Sequence, residues 1–252
     1  MCEKIKKTLL NICLGIIPSS KLRKSLRVKF LNTVTKHKCN NKINLINKIN
    51  NNKFVIINNN KFITDCTKTG LDINFTGRNS TVIIHEPISL QNCSIRIGNN
   101  SNVEIFSSES NISNLYISAT KNSEVVIGKN FSCCGCTIEN HDESNLKVVI
   151  GEDCMFSYGI HIRVSDGHTI YQLGNSNVIN KPQNGVTIGD HVWIGMNSTI
   201  LKDVTIPSNS VVGACSLINK SITKENVIIA GTPAKIIREN INWSRSNTDD
   251  FQ

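Results

Sequence analysis

The sequence predicts an all-β chain wound into a parallel β-helix, with a short helical segment ahead of it and a cap helix behind it. Three observations predict this. Aliphatic residues recur in an unbroken step of six at Ile188, Ile194, Ile200, Ile206, Val212 and Ile218. Glycine follows in three of these units (Gly189, Gly195, Gly213), and the residue four past each of the first five is small or branched: Val192, Ser198, Val204, Ser210, Ser216. From about residue 70 onward, short β-branched runs are punctuated by Gly, Asn, Asp and Ser, and no helical period remains.

A period of six means a short strand followed by a corner, repeated so that each aliphatic side chain points inward. Three such units close a triangular coil of about eighteen residues that bonds to the coils above and below. Glycine after the aliphatic is expected to ease the corner by taking a positive φ. The small residue further on is expected to fit the narrow interior. An earlier run with the same step holds Ile150, Phe156 and Ile162, and weaker units at Ile97, Val103 and Ile127 extend it toward the N-terminus.

The expected divisions are an N-terminal segment at 1–62, the coils at 63–232 and a cap with tail at 233–252. In the first, Met1 to about Val34 reads as one or two short basic, amphipathic helices, which suit a membrane surface, a partner or the end of the core. Residues 37–62, dense in Asn, Lys and Ile, read as irregular or short-stranded. A coil stack needs capped ends, and Pro233 with AKIIRENINW is where the cap helix is expected.

Composition narrows the function classes. The formal net charge is +9, which favours anionic partners. Nucleic acid is disfavoured among them, because aromatics are only 5% and no reader motif is present. The ten cysteines form no dense framework, which fits a reducing, cytoplasmic location, peripheral at the inner membrane if the basic helix binds there. Cys133 and Cys136 make one CxxC with no second pair at zinc spacing, so no metal site is expected, and both read as small residues packed inside rungs. No apolar run approaches a membrane span. The start KIKKTLLNICLGII is signal-like, but basic residues follow it in place of a clear cleavage site.

The stretch VTIGDHVWIGMNSTILKDVTIPSNSVVGACSLINKSITKENVIIAGTPAKII, residues 186–237, resembles the hexapeptide-repeat acyltransferases. With IRVSDGHTIY at 162–171 before it, the resemblance is greatest to bacterial O-acetyltransferases of capsules and surface polysaccharides, including sialic-acid O-acetyltransferases. It covers roughly 95–243. It implies left-handed winding, a homotrimer with sites in clefts between subunits, acetyl-CoA as co-substrate with no bound cofactor, and a histidine base.

His168 ends the SDGH motif, where the six-residue step breaks for TIYQLGNSNVINKPQNG before resuming at Val186. A loop on a rigid scaffold is where catalytic groups concentrate, and imidazole can take a hydroxyl proton at neutral pH. The resemblance places the family's base here. Asp166 either orients that ring or caps the turn. His161 reads as inward or at a corner, His141 with Asp142 as a weaker rival base, and His191 as a corner residue, exposed or at the cleft.

Trp193, in VWIG, is too large for the interior and must point outward. The resemblance puts it at the acceptor and acetyl-CoA site; a subunit-interface role is the alternative. The same likeness implies that pantetheine lies along the axis near Gly195, Gly213, Ala214 and Ser216, with Lys235 and Arg238 meeting the nucleotide phosphates. The expected activity is acetyl transfer to a hydroxyl of a surface polysaccharide sugar or its precursor, such as a sialic acid. N-acetylation of a nucleotide-linked amino sugar, O-acetylation of a small metabolite and a non-catalytic scaffold are the rivals.

Overall fold

The computed structural model describes residues 50–64, 67–140 and 143–250. The expected N-terminal helices, the rival base His141 with Asp142, and Cys2, Cys13, Cys39 and Cys66 lie outside the described residues.

The described chain is a parallel β-solenoid. Successive strands are dealt in turn to three sheets, of eight, eight and seven strands. One coil comprises Lys147–Ile150, Met155–Phe156 and Ile160–Arg163. The next comprises Val186–Ile188, Trp193–Ile194 and Thr199–Ile200, and the one after it Val204–Ile206, Val211–Val212 and Leu217–Ile218. In that order they define a first, second and third face.

The register explains the period. Ile150, Ile188 and Ile206 stack on the first face. Phe156, Ile194 and Val212 stack on the second, and Ile162, Ile200 and Ile218 on the third. Each of these side chains is buried, so six residues separate one face from the next and three faces close a coil. Val192, Ser198, Val204, Ser210 and Ser216 are buried beside them. The serines bring their own hydrogen bonds: Ser198 Oγ donates to the carbonyls of Gly195 (2.9 Å) and Gly213 (3.1 Å), tying two coils together.

The corners differ from expectation. Gly189, Gly195 and Gly213 do not take a positive φ; the residue two further on does, at His191, Asn197, Asp203, Asn209 and Cys215, with φ of 54–61°. Glycine is required instead by close stacking. A Cβ on Gly195 would lie 2.7 Å from the backbone nitrogen of Ala214 in the next coil.

The earlier coils are wider. Val82, Val103, Val125 and Val148 stack on the first face at steps longer than eighteen residues, part of the surplus going into longer third-face strands such as Cys93–Asn99 and Leu115–Lys121. One corner is a ladder of asparagines with positive φ, in which Asn51 donates to Asn79 (3.2 Å), Asn79 to Asn100 (3.2 Å) and Asn100 to Asn122 (3.1 Å). Asparagine tolerates the left-handed conformation and its amide repeats with the coil, which gives part of the Asn-rich composition a structural cause.

Both ends are closed by antiparallel strands. Lys53–Asn58, already paired in parallel with Thr81–His85, takes Lys61–Thr64 on its free edge. At the other end Val227–Gly231 takes Ala234–Glu239, through a turn holding Gly231 (φ +107°) and a cis Thr232–Pro233 bond. The expected cap helix is therefore corrected to a strand. The β-branched pair Ile236–Ile237 and the open edge beside it outweigh the helix-like pattern, because an unpaired sheet edge is costly and prone to association. Lying wholly within the described residues is one helical turn, the 3-10 turn Thr248–Asp250.

Cys93, Cys133, Cys136 and Cys154 are buried, whereas Cys134 and Cys215 are exposed. Burial pushes the Cys133 and Cys154 thiols up to about 12 and Cys136 well above its ordinary value. A thiol reagent is therefore expected to label Cys134 and Cys215 in the folded protein and the four buried cysteines only on unfolding, which peptide mass mapping checks. Phe156 meets Phe131 edge-on at 4.9 Å between centroids, both fully enclosed. Phe156→Ala is expected to cost about 3–5 kcal/mol, read as a lower denaturation midpoint.

Candidate active site

His168 lies on the long excursion between Ile160–Arg163 on the third face and Val186–Ile188 on the first. The excursion doubles back as a short finger: Tyr171 bridges Val178, the Ile179 N–H donates to the Ile170 carbonyl (2.9 Å) and the Gln172 N–H to that of Asn177 (2.8 Å). Apolar side chains on it stand in solvent, Leu173 at 95% exposure and Tyr171, Val178 and Ile179 each above half. His168 is exposed, and its imidazole has no hydrogen-bond partner among the described residues.

Asp166 does not reach that imidazole. Its Oδ2 pairs with Lys202 Nζ from the next coil and accepts a hydrogen bond from Asn180 Nδ2 (2.8 Å). The Lys202 bond holds the Asp166 carboxyl below the usual range against a smaller opposing effect of burial, with Asn180 adding to the lowering. A carboxyl so lowered keeps its contribution above the unfolded value of about 3.9 and loses it as pH falls through the folded one. Asp166 is thus a root anchor of the loop. The other root is held next to it, where Asp203 Oδ1 accepts the N–H groups of Gln183 (2.8 Å) and Asn184 (2.7 Å).

Trp193 points outward from the second face, 39% exposed, while its neighbour Ile194 points in. Register continues the row from Trp193 to Val211, Ile228 and Arg238, with Lys235 opposite Ala230 on the same side. Three strand spacings separate Trp193 from Arg238, about 14 Å. Lys235 and Arg238 are exposed, so an apolar strip along the axis ends in two cations. At the corner beyond the second face stand Gly195, Gly213 and the exposed Ala214. Ser216 is buried there, its Oγ accepting the Gly231 N–H (3.1 Å), so a ligand at this corner would meet its neighbours.

His161 is exposed at the middle of its strand, between the buried Ile160 and Ile162, which corrects the inward reading. His191 is half-buried at the corner before Trp193. Its Nδ1 meets Asp153 Oδ2 (2.6 Å), its Nε2 meets the Trp243 carbonyl (3.0 Å), and its ring stacks on Trp243 at 4.2 Å and 10°. Trp243 Nε1 donates to the His191 carbonyl (2.8 Å), and the Trp243 ring is 6.2 Å from that of Trp193. Beyond it Arg245 donates to Asp153 Oδ1 (3.0 Å), Ser132 Oγ (2.7 Å) and the carbonyls of Asn130 and Cys154 (3.1 Å each). The tail is a strap laid down one corner, across several coils.

Sequence reasoning missed Asn180, Lys202, Asp203, Trp243 and Arg245. None lies on the inward period, and the contacts that anchor them, such as Lys202 to Asp166 and Trp243 to His191, are to residues ten or more positions away. The rarity of tryptophan was the one available signal for Trp243. The structure brings Asp166 and His168 onto one loop, and Trp193, Lys235 and Arg238 onto one face. Those two groups lie on different sides of the prism, since the loop leaves the corner between the third and first faces, opposite the second.

Among the described residues this three-faced β-solenoid carries His168 exposed on its long loop and, on its second face, an apolar strip ending in two cations. Residues 185–220 match the family described as bacterial transferase hexapeptide (six repeats). Among solved structures, the polySia specific acetyltransferase NeuO is similar at 30% identity and a TM-score of 0.68, over 79% of this chain and 81% of that one. The polysialic acid O-acetyltransferase OatWY is similar at 32% and 0.57, over 79% and 93%. The chain belongs to this hexapeptide-repeat transferase family. The polysialic acid O-acetyltransferase of Escherichia coli O1:K1 / APEC is 33% identical over 131 residues, 52% of this chain, and that of Neisseria meningitidis 38% over 99 residues, 39% of this chain. The matches span 41% and 46% of those two relatives' lengths.

The strap makes a prediction. His191→Ala removes the ring on which Trp243 stacks and that ring's two hydrogen bonds, to Asp153 Oδ2 and to the Trp243 carbonyl. The Arg245–Ser246 bond is expected to resist trypsin in the parent and to be cut in the variant, which intact mass checks, with a red shift in tryptophan emission.

Proposed function

We propose that the protein transfers the acetyl group of acetyl-CoA to a hydroxyl of an acidic surface-glycan sugar, such as a sialic acid, with His168 as general base. One observation carries this reading: a solvent-facing imidazole without a hydrogen-bond partner among the described residues, on an anchored loop, in a chain alike over most of its length to two polysialic acid acetyltransferases. Left-handed winding and a homotrimer belong to the same proposal, as does a cytoplasmic location beside the acetyl-CoA pool. The trimer has a physical motive. His168 and the Trp193 strip face away from each other in one copy, and a second copy turned about a common axis can bring one against the other. The bare apolar finger, Leu173 above all, would then be covered by its neighbour.

In this reading His168 takes the proton of the acceptor hydroxyl as the oxygen attacks the thioester carbonyl. A tetrahedral intermediate forms, the carbon–sulfur bond breaks, and the imidazolium returns the proton to the departing sulfur. The products are an acetyl ester and the free thiol of CoA. Trp193 offers a flat apolar wall to sugar or pantetheine, and Lys235 and Arg238 offer charge to the phosphates.

His168→Ala is expected to lower turnover by about 10²- to 10⁴-fold with the circular dichroism unchanged. Mass spectrometry of the product should show an alkali-labile ester; a stable amide, or near-parental turnover in the variant, would reject the proposal. Lys235→Ala with Arg238→Ala is expected to raise KM for acetyl-CoA and leave KM for the acceptor unchanged, as initial rates check.

A further inference from the structure

Asn180 stands on the returning limb of the finger, yet its side chain serves the outgoing limb. Its Nδ2 donates to Asp166 Oδ2 and to the His168 carbonyl, both at 2.8 Å. Its Oδ1 accepts the Ile170 N–H, also at 2.8 Å. One amide thus grips residues 166, 168 and 170, using both of its N–H groups and its carbonyl oxygen on the backbone and side chain that flank the imidazole. Asp166 is held in turn by Lys202, whose side chain is only 22% exposed, from the corner of the following coil. The path from the rigid stack to His168 therefore runs through Lys202, Asp166 and Asn180.

We propose that Asn180 and Lys202 are positioning residues that set the placement of His168, an inference that rests on His168 being the base. Proton transfer needs heavy atoms within about 2.6–3.2 Å, and the backbone pairing of the finger begins only at Ile170, beyond His168. A misplacement of about 1 Å costs on the order of 10²-fold in rate. The Lys202 ion pair by itself is part-exposed and would add little to global stability. Its value is local: it stops Asp166 from drifting, and Asp166 helps fix the amide that grips His168. Neither residue needs to touch the substrates.

The test uses the full-length protein, acetyl-CoA, and oligosialic acid as acceptor. Asn180→Ala is expected to lower kcat by about 10²-fold with both KM values within about threefold. Lys202→Met is expected to lower it about tenfold, and Lys202→Arg, which can still reach Asp166, to restore most of it. In a His168→Ala background neither substitution should lower the residual rate further. Unchanged kcat in both single variants, or the same fractional loss with and without His168, overturns positioning. Near-parental turnover of His168→Ala overturns the base itself and is a distinct outcome. A readout that needs no acceptor accompanies the kinetics: carbethoxylation of His168 by diethyl pyrocarbonate, followed by peptide mass. Its rate is expected to change severalfold in Asn180→Ala and Lys202→Met and to return in Lys202→Arg; rates equal to the parent in both variants would also overturn the proposal.

Discussion

Everything in this molecule depends on the hydrogen bonding of each coil to the coil before and after it. Strands such as Trp193–Ile194 and Val211–Val212 are two residues long and could not persist alone. They persist because the Trp193 N–H meets the Ser210 carbonyl, the Gly195 N–H meets that of Val212, and the pattern repeats along the axis. Aliphatic columns such as Ile162, Ile200 and Ile218 fill the space those bonds enclose. Stability is then a sum of neighbour-to-neighbour contacts, which is why an unpaired final coil is a liability and why an antiparallel strand covers an open edge at each end.

That constraint divides the side chains. Inward positions are held to buried, mostly apolar side chains, coil after coil. Outward positions, freed from packing, can carry Trp193, Lys235 and Arg238 in register along one face. Corners carry the remaining freedom. Three successive coils share one corner at Asp153, His191 and Asn209, and the tail uses two of these through Trp243 and Arg245. The corner at Lys202 and Asp203 fastens both roots of the His168 loop, so this long interruption of the stack is held by the coil that follows it.

Much of this was visible in the residues. The step of six from Ile188 to Ile218, the inward serines and the excursion carrying His168 follow from one periodicity, and that periodicity is a local property of the chain. The earlier coils are only faintly visible because their third-face strands and corners hold extra residues, so inward positions such as Val82 and Val103 recur at an uneven step. The pattern of Ala234–Glu239 by itself suits a helix, and the open edge of Val227–Gly231 beside it decides for a strand. Glycine was assigned to the left-handed corner position when its actual duty is to admit the backbone of the next coil, a neighbour that comes from eighteen residues away in the regular coils.

The sequence alone determined the solenoid, the inward columns and the location of the interrupting loop, since each is written in spacing that one chain segment carries by itself. Only the tertiary structure decided that Asp166 belongs to Lys202 and Asn180 and not to the imidazole, that Trp243 and Arg245 strap a corner, and that His168 and Trp193 face apart. Those are contacts and directions between residues tens of positions apart. They arise from how many residues each corner consumes, and no inward period records that number.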